Sequence, residues 1–156
     1  MIEAMNEEML KRTLWNTCLE KLDKRINNAQ AAVDRARQSA NGESKSSVGD
    51  KYETSRAMGH LDQDMYAKQL DEALKVKKLL LQLDPDKRHE SVEAGSLIKT
   101  NKGYFYLAVG IGEITIKNEK FFVISPLAPI AQAMLGKKAM DKIQFNKQDF
   151  IIEEIS

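Results

Sequence analysis

What this chain lacks narrows it before any pattern is sought. It has one cysteine, Cys18, which excludes an internal disulfide and a zinc site built from several thiolates. No apolar run approaches the roughly 18–20 residues that span a bilayer, so no membrane partner is expected. The opening residues, MIEAMNEEML, are acidic and lack the basic-then-apolar layout of a secretion signal, which makes a cytoplasmic location the economical expectation. Charged residues make up 30% of the chain, yet the net charge is only +1, so bulk attraction to nucleic acid is not expected. There is no Walker A loop, no Gly-x-Gly-x-x-Gly and no His-Glu-x-x-His, and no small-molecule substrate is expected.

Aromatic residues are scarce in the first half, where residues 1–84 hold only Trp15, Tyr52 and Tyr66. The remainder holds seven, and no arginine follows Arg88. The division falls near Leu83-Asp84-Pro85-Asp86, where the proline disfavours helix in the residue before it.

In the first part, Trp15, Leu19, Leu22, Ile26, Ala29, Val33, Ala36 and Ala40 step 4, 3, 4, 3, 4, 3, 4. That is a heptad seam, bulky at the start and tapering to alanine, of a helix kept against a partner helix. The helix is expected from Asn6 to Ala40, about 50 Å long at the α-helical rise. The polar segment Asn41–Gly49 reads as a turn. A second helix follows to Leu83, with Met58, Leu61, Met65, Leu70, Leu74, Leu80 and Leu83 as its apolar positions. Folded antiparallel, the two arms are nearly equal and place the tip within residues 41–50. Lys21, Lys24, Arg25, Arg35 and Arg37 are interleaved with acids and read as a solvated face.

The rest reads as strands paired by short turns: Leu97–Thr100 with Tyr104–Val109, Glu113–Lys117 with Lys120–Ser125, and Asp141–Phe145 with Gln148–Ile155. A short helix opens near Pro129 and stops at Gly136. The expected class is therefore α+β: an antiparallel two-helix coiled-coil hairpin at 1–84, a linker at 85–96, and a small antiparallel sheet domain with one short helix at 97–156. In that arrangement Cys18 sits near the hairpin base, His60 towards the tip and His89 in the linker. No base stands beside the thiol, which excludes acyl-transfer catalysis.

Two motifs about 80 residues apart carry a family resemblance. Gly49-Asp50-Lys51-Tyr52-Glu53 resembles the tip signature of the Gre family of bacterial transcript-cleavage (transcription elongation) factors, a Gly-Asp pair, two variable residues and Glu. Pro129-Ile130-Ala131-Gln132-Ala133-Met134-Leu135-Gly136-Lys137, with Asp141 following, is similar to the Pro-Ile-Ala-x-x-Leu-x-Gly-Lys stretch of that family's FKBP-like C-terminal domain.

The resemblance implies an accessory factor rather than an enzyme. Such factors insert the hairpin into the secondary channel of RNA polymerase and stimulate the polymerase's own cleavage of backtracked transcripts. Contact with the transcript 3′ end and DNA is implied only within that complex. Asp50 and Glu53 are then the catalytic and metal-binding candidates, helping to hold a Mg2+ ion shared with the polymerase active site and not held stably alone. Magnesium prefers carboxylate oxygens, and a second ion stabilises both the attacking and the leaving oxygen in phosphoryl transfer. Glu43 is a third candidate, and Ser46 or Ser47 is placed to cap the second helix. Where the family continues Glu-Asn-Ala-Glu-Tyr, this chain has Glu53-Thr54-Ser55-Arg56-Ala57, so Lys51 and Arg56 bring positive charge beside the carboxylates. The alternative is a non-catalytic coiled-coil interaction protein, such as a polymerase-channel inhibitor or a chaperone-like adaptor. The competing local explanation for Asp50 and Glu53 is two carboxylates favoured by a helix N-terminus.

Overall fold

The computed structural model of the chain describes the backbone of residues 6–43 and 49–156, and their side chains except at 7, 40–43 and 49–56. Two long helices lead, α1 (Glu7–Glu43) and α2 (Gly49–Leu81). They are followed by β1 (Leu97–Thr100), β2 (Gly103–Leu107), β3 (Gly112–Ile116), β4 (Glu119–Ile124), the short α3 (Pro129–Met134), β5 (Lys142–Phe145) and β6 (Gln148–Ile155). The class is α+β, with a helix pair preceding a sheet, as the periodicities require.

Asn6 starts α1 by accepting the backbone N–H of Met9 at 2.8 Å, satisfying one of the orphan donors of the first turn. The helix continues through Asn41 and Gly42 to Glu43, so these three residues are helical and not part of a turn as expected. Residues 44–48, including Ser46 and Ser47, lie outside the described residues. The helices run antiparallel: Trp15 Nε1 donates to the Leu80 carbonyl at 3.0 Å, and Asp23 pairs with Lys77 at 2.7 Å. The chain divides into two compact units, Leu19–Lys78 in one, and the N-terminal stretch through Cys18 with Leu79–Ser156 in the other.

In the helical unit, α1 buries Leu22, Ala29, Ala32, Val33 and Ala36, and Ile26 is half-buried. On α2 the inward row is Gly59, Gln63, Tyr66, Leu70, Ala73 and Lys77, a 4-3-4-3-4 spacing of buried and half-buried residues. It shares Leu70 with the row expected from the large apolar residues, and Leu80 further along α2 is buried as expected, but the rest of that row is displaced. Met58, Leu61, Met65 and Leu74 are exposed, Met58 by 55% and Leu61 by 62%. α1 offers alanines over this stretch, and the facing row combines buried Gly59 and Ala73 with half-buried Gln63, Tyr66, Leu70 and Lys77.

A related displacement occurs at the start of α1. There Leu10, Leu14 and Cys18 are buried, whereas Trp15 and Leu19 are only half-buried. An ideal helix drifts by about 20° per heptad relative to a 3.5-residue seam, so a stripe in register near Val33 need not be in register near Leu14.

The six strands form one sheet in the order β3-β4-β2-β1-β6-β5. All neighbours are antiparallel except β2 and β4, which run parallel with Tyr104 opposite Phe121 and Tyr106 opposite Val123. Hairpin turns in the sequence specify the β3–β4 and β5–β6 pairs but not this crossover. The β3–β4 and β5–β6 turns have positive φ at two successive residues, Lys117-Asn118 and Asn146-Lys147, the twist that matches adjoining strands.

Alternation gives the sheet two buried faces. One carries Ile98, Phe105, Leu107, Ile143, Phe150 and Ile152 beneath Ala131 and Met134 of α3. Phe105 meets Phe122 at 5.5 Å and the edge of Phe150 at 6.0 Å between ring centroids. The other carries Leu97, Tyr106, Phe121 and Val123. α3 starts at Pro129 and ends before Gly136, whose φ of +79° suits glycine and whose N–H donates to the Val92 carbonyl.

Candidate functional site

Gly49 opens α2, so Asp50 and Glu53 are its second and fifth residues, three apart on helical backbone. Their side chains lie outside the described residues, as do those of Glu43, Lys51 and Arg56. Among the described residues there is no group of three or more His, Cys, Asp or Glu side chains able to hold a metal ion. No helix there is long and apolar enough to cross a membrane.

Further along the hairpin, Arg25, Ala29 and Ala32 of α1 and Tyr66, Glu72 and Ala73 of α2 line an open groove of about 500 Å³. Its alanines are buried, and Arg25 and Glu72 are exposed.

The sheet-bearing unit contains the most unusual described electrostatics. Lys11, on the buried stripe of α1, is only 2% exposed. Its Nζ donates to the Lys87 carbonyl at 2.6 Å. Burial lowers its pKa to about 8 against the pull of Asp84, and the positive charges of Arg88 and Lys87 act in the same direction as burial. His89 is also buried. Its Nδ1–H donates to Glu93 Oε1 at 2.5 Å, fixing the tautomer because the carboxylate only accepts. Burial and the charge of Lys11 lower the His89 pKa, and the hydrogen bond to Glu93 opposes them. That same bond holds Glu93 below the usual carboxylate range. Around this cluster, Arg12 pairs with Asp86 through both Nε, at 3.0 Å, and Nη2. Lys87 lies 3.5 Å from Glu93.

Sequence spacing placed His89 in the linker and left Lys11 without a role. A signal existed: Lys11, Leu14 and Cys18 lie on one helical row at i, i+3 and i+7, but lysine in such a row normally extends to solvent. Cys18 is fully buried, so it is a core thiol. It acts electrostatically on Tyr106, whose phenol pKa is raised chiefly by burial. The Tyr106 hydroxyl has no hydrogen-bond partner among the described residues.

No protein-family model matches the chain, and no curated protein matches it. A solved structure of the transcription factor Gfh1 superposes over 88% of this chain and 92% of its own, with a TM-score of 0.33 and 14% identity, too loose a match to establish a shared fold.

Proposed function

We propose that this chain is a Gre-like transcription factor that binds RNA polymerase through its secondary channel in the cytoplasm and promotes cleavage of backtracked transcripts. The observation that carries the reading is where the two motifs fall. Gly49-Asp50 opens α2, the second arm of an antiparallel helix pair, and Pro129-Ile130-Ala131 opens α3 against the sheet. Each motif therefore begins the kind of element that the resemblance requires of it, and in the same order along the chain.

On this reading the chain is an accessory factor, with the polymerase supplying the catalytic centre. Asp50 and Glu53 provide two carboxylates from the start of a helix, where negative charge is favoured. Asp50 and Glu53 are the residues that would help hold magnesium, which would supply charge stabilisation for the attacking and leaving oxygens. The chain's own task is to bring hard oxygen ligands to that ion without holding it alone. Two carboxylates on one helix leave most of an octahedral shell to other groups.

The test is transcript shortening in a purified, backtracked elongation complex. Addition of the chain should shorten the RNA, and Asp50→Asn should abolish this while polymerase binding persists, because the substitution removes charge but keeps shape. Binding without shortening would favour the channel inhibitor, for which Lys51 and Arg56 beside the carboxylates argue. Failure to bind core polymerase would refute both.

A further inference from the structure

We infer that Lys11 and His89 make the attachment of α1's first turns to the segment Asp84–Glu93 acid-sensitive: below neutral pH a second positive charge forms beside the lysine, and the attachment opens. The inference is independent of polymerase binding.

The geometry leaves little room for another outcome. Lys11 Nζ is held by a backbone carbonyl, Lys87 O, which is neutral and does not cancel its charge. The His89 side chain is 3% exposed, so an imidazolium there has little water to solvate it. Its Nε2 side faces Gly95: a Cβ built there would stand 3.5 Å from His89 Nε2. The charged groups acting on Lys11 are Asp84, Lys87, Arg88 and Glu93, and those acting on His89 are Lys11, Lys87 and Glu93. Among the described residues, Glu93 is the anion in direct contact with the ring. It is solvent-exposed and also faces Lys87, so it offsets only part of the cost.

Local opening hydrates both groups and returns His89 towards its free value of 6.5. The open form therefore binds the proton more tightly than the closed form. The attachment is intact above pH 6.5 and is lost progressively as pH falls towards the lowered value of the closed form. No other described residue is both a buried histidine and a neighbour of a buried lysine.

Amide hydrogen exchange on the full chain at pH 7.5 and 5.5, corrected for intrinsic rates, tests this. Opening constants for residues 11–18 should rise on acidification, with about tenfold as the ceiling for one histidine whose open-state pKa is 6.5. In His89→Gln, which keeps a side-chain hydrogen-bond donor for Glu93 but does not titrate, the rise should be less than about twofold by the same linkage. An NMR titration of the His89 ring gives a second readout that does not depend on that variant folding. Its midpoint should lie below 6.5 and move upward in Lys11→Met. A flat wild-type profile, an equal rise in His89→Gln, or a ring midpoint at or above 6.5 would overturn the inference.

Discussion

Replacing Tyr106 by phenylalanine should stabilise this protein, although Tyr106 is among its most deeply buried side chains. The residue sits on β2 with no exposed surface, and its hydroxyl finds no partner among the described residues. A buried polar group left unpaired costs about 1–3 kcal/mol relative to one hydrated in the unfolded chain. Phenylalanine removes that penalty and keeps the ring, along with its packing beside Val123 across the parallel β2–β4 pair. Against this stands the gap left by one oxygen, roughly 10 Å³, which costs about 0.2 kcal/mol. The net gain is about 1–3 kcal/mol, or about 3–9 °C in Tm for a chain of this length. Urea unfolding followed by far-UV circular dichroism measures it, and the m-value should be unchanged. A loss of more than about 0.5 kcal/mol would refute the reasoning, since neutral hydrogen bonds contribute about that much and more. It would mean that the phenol is hydrogen-bonded in solution.

The remaining predictions address other elements. If the α2 seam runs through Gly59 and Ala73, Leu61→Gln should change unfolding free energy by less than about 0.5 kcal/mol, and Ala73→Leu should cost about 1–3 kcal/mol by overpacking. The opposite ranking in thermal melts would restore the seam expected from residue size. Trp15→Phe removes the indole donor to the Leu80 carbonyl near the end of α2 and should cost about 1–2 kcal/mol in urea unfolding, with no change in helix content. Lys11 has a folded-state pKa of about 8 against 10.5 when free, so the unfolded chain holds its proton more tightly. Stability should therefore climb as pH rises from 8 towards 10.5, and the slope contributed by this group should vanish in Lys11→Met.

Much of the architecture was legible because it depends on local periodicity and turn chemistry. β1 and β6 fall where alternation places them, at Leu97–Thr100 and Gln148–Ile155; β2, β3 and β4 shift by one or two residues at both ends, and β5 by one at its start. Asn146-Lys147 was identifiable as a turn from composition alone, and its positive φ values fit the hairpin. Asp50 and Glu53 stand out in the sequence as a motif, and their backbone lies in the first turns of α2. The register of α2 was legible only in part. Leu70 and Leu80 lie inward as hydrophobicity places them, but Met58 and Leu61 do not, because burial depends on which residues of a distant segment come opposite.

The sequence by itself determined two helical arms, six strands and a short helix, since each follows from spacing within a few turns or one hairpin. Tertiary structure alone decided the parallel β2–β4 pair, the exposure of the α2 methionines and the burial of Lys11 beside His89. Those features join residues far apart in the chain. The free energy of a group depends on what surrounds it, so a lysine that any local pattern assigns to water can be held in the core by a carbonyl 76 residues away.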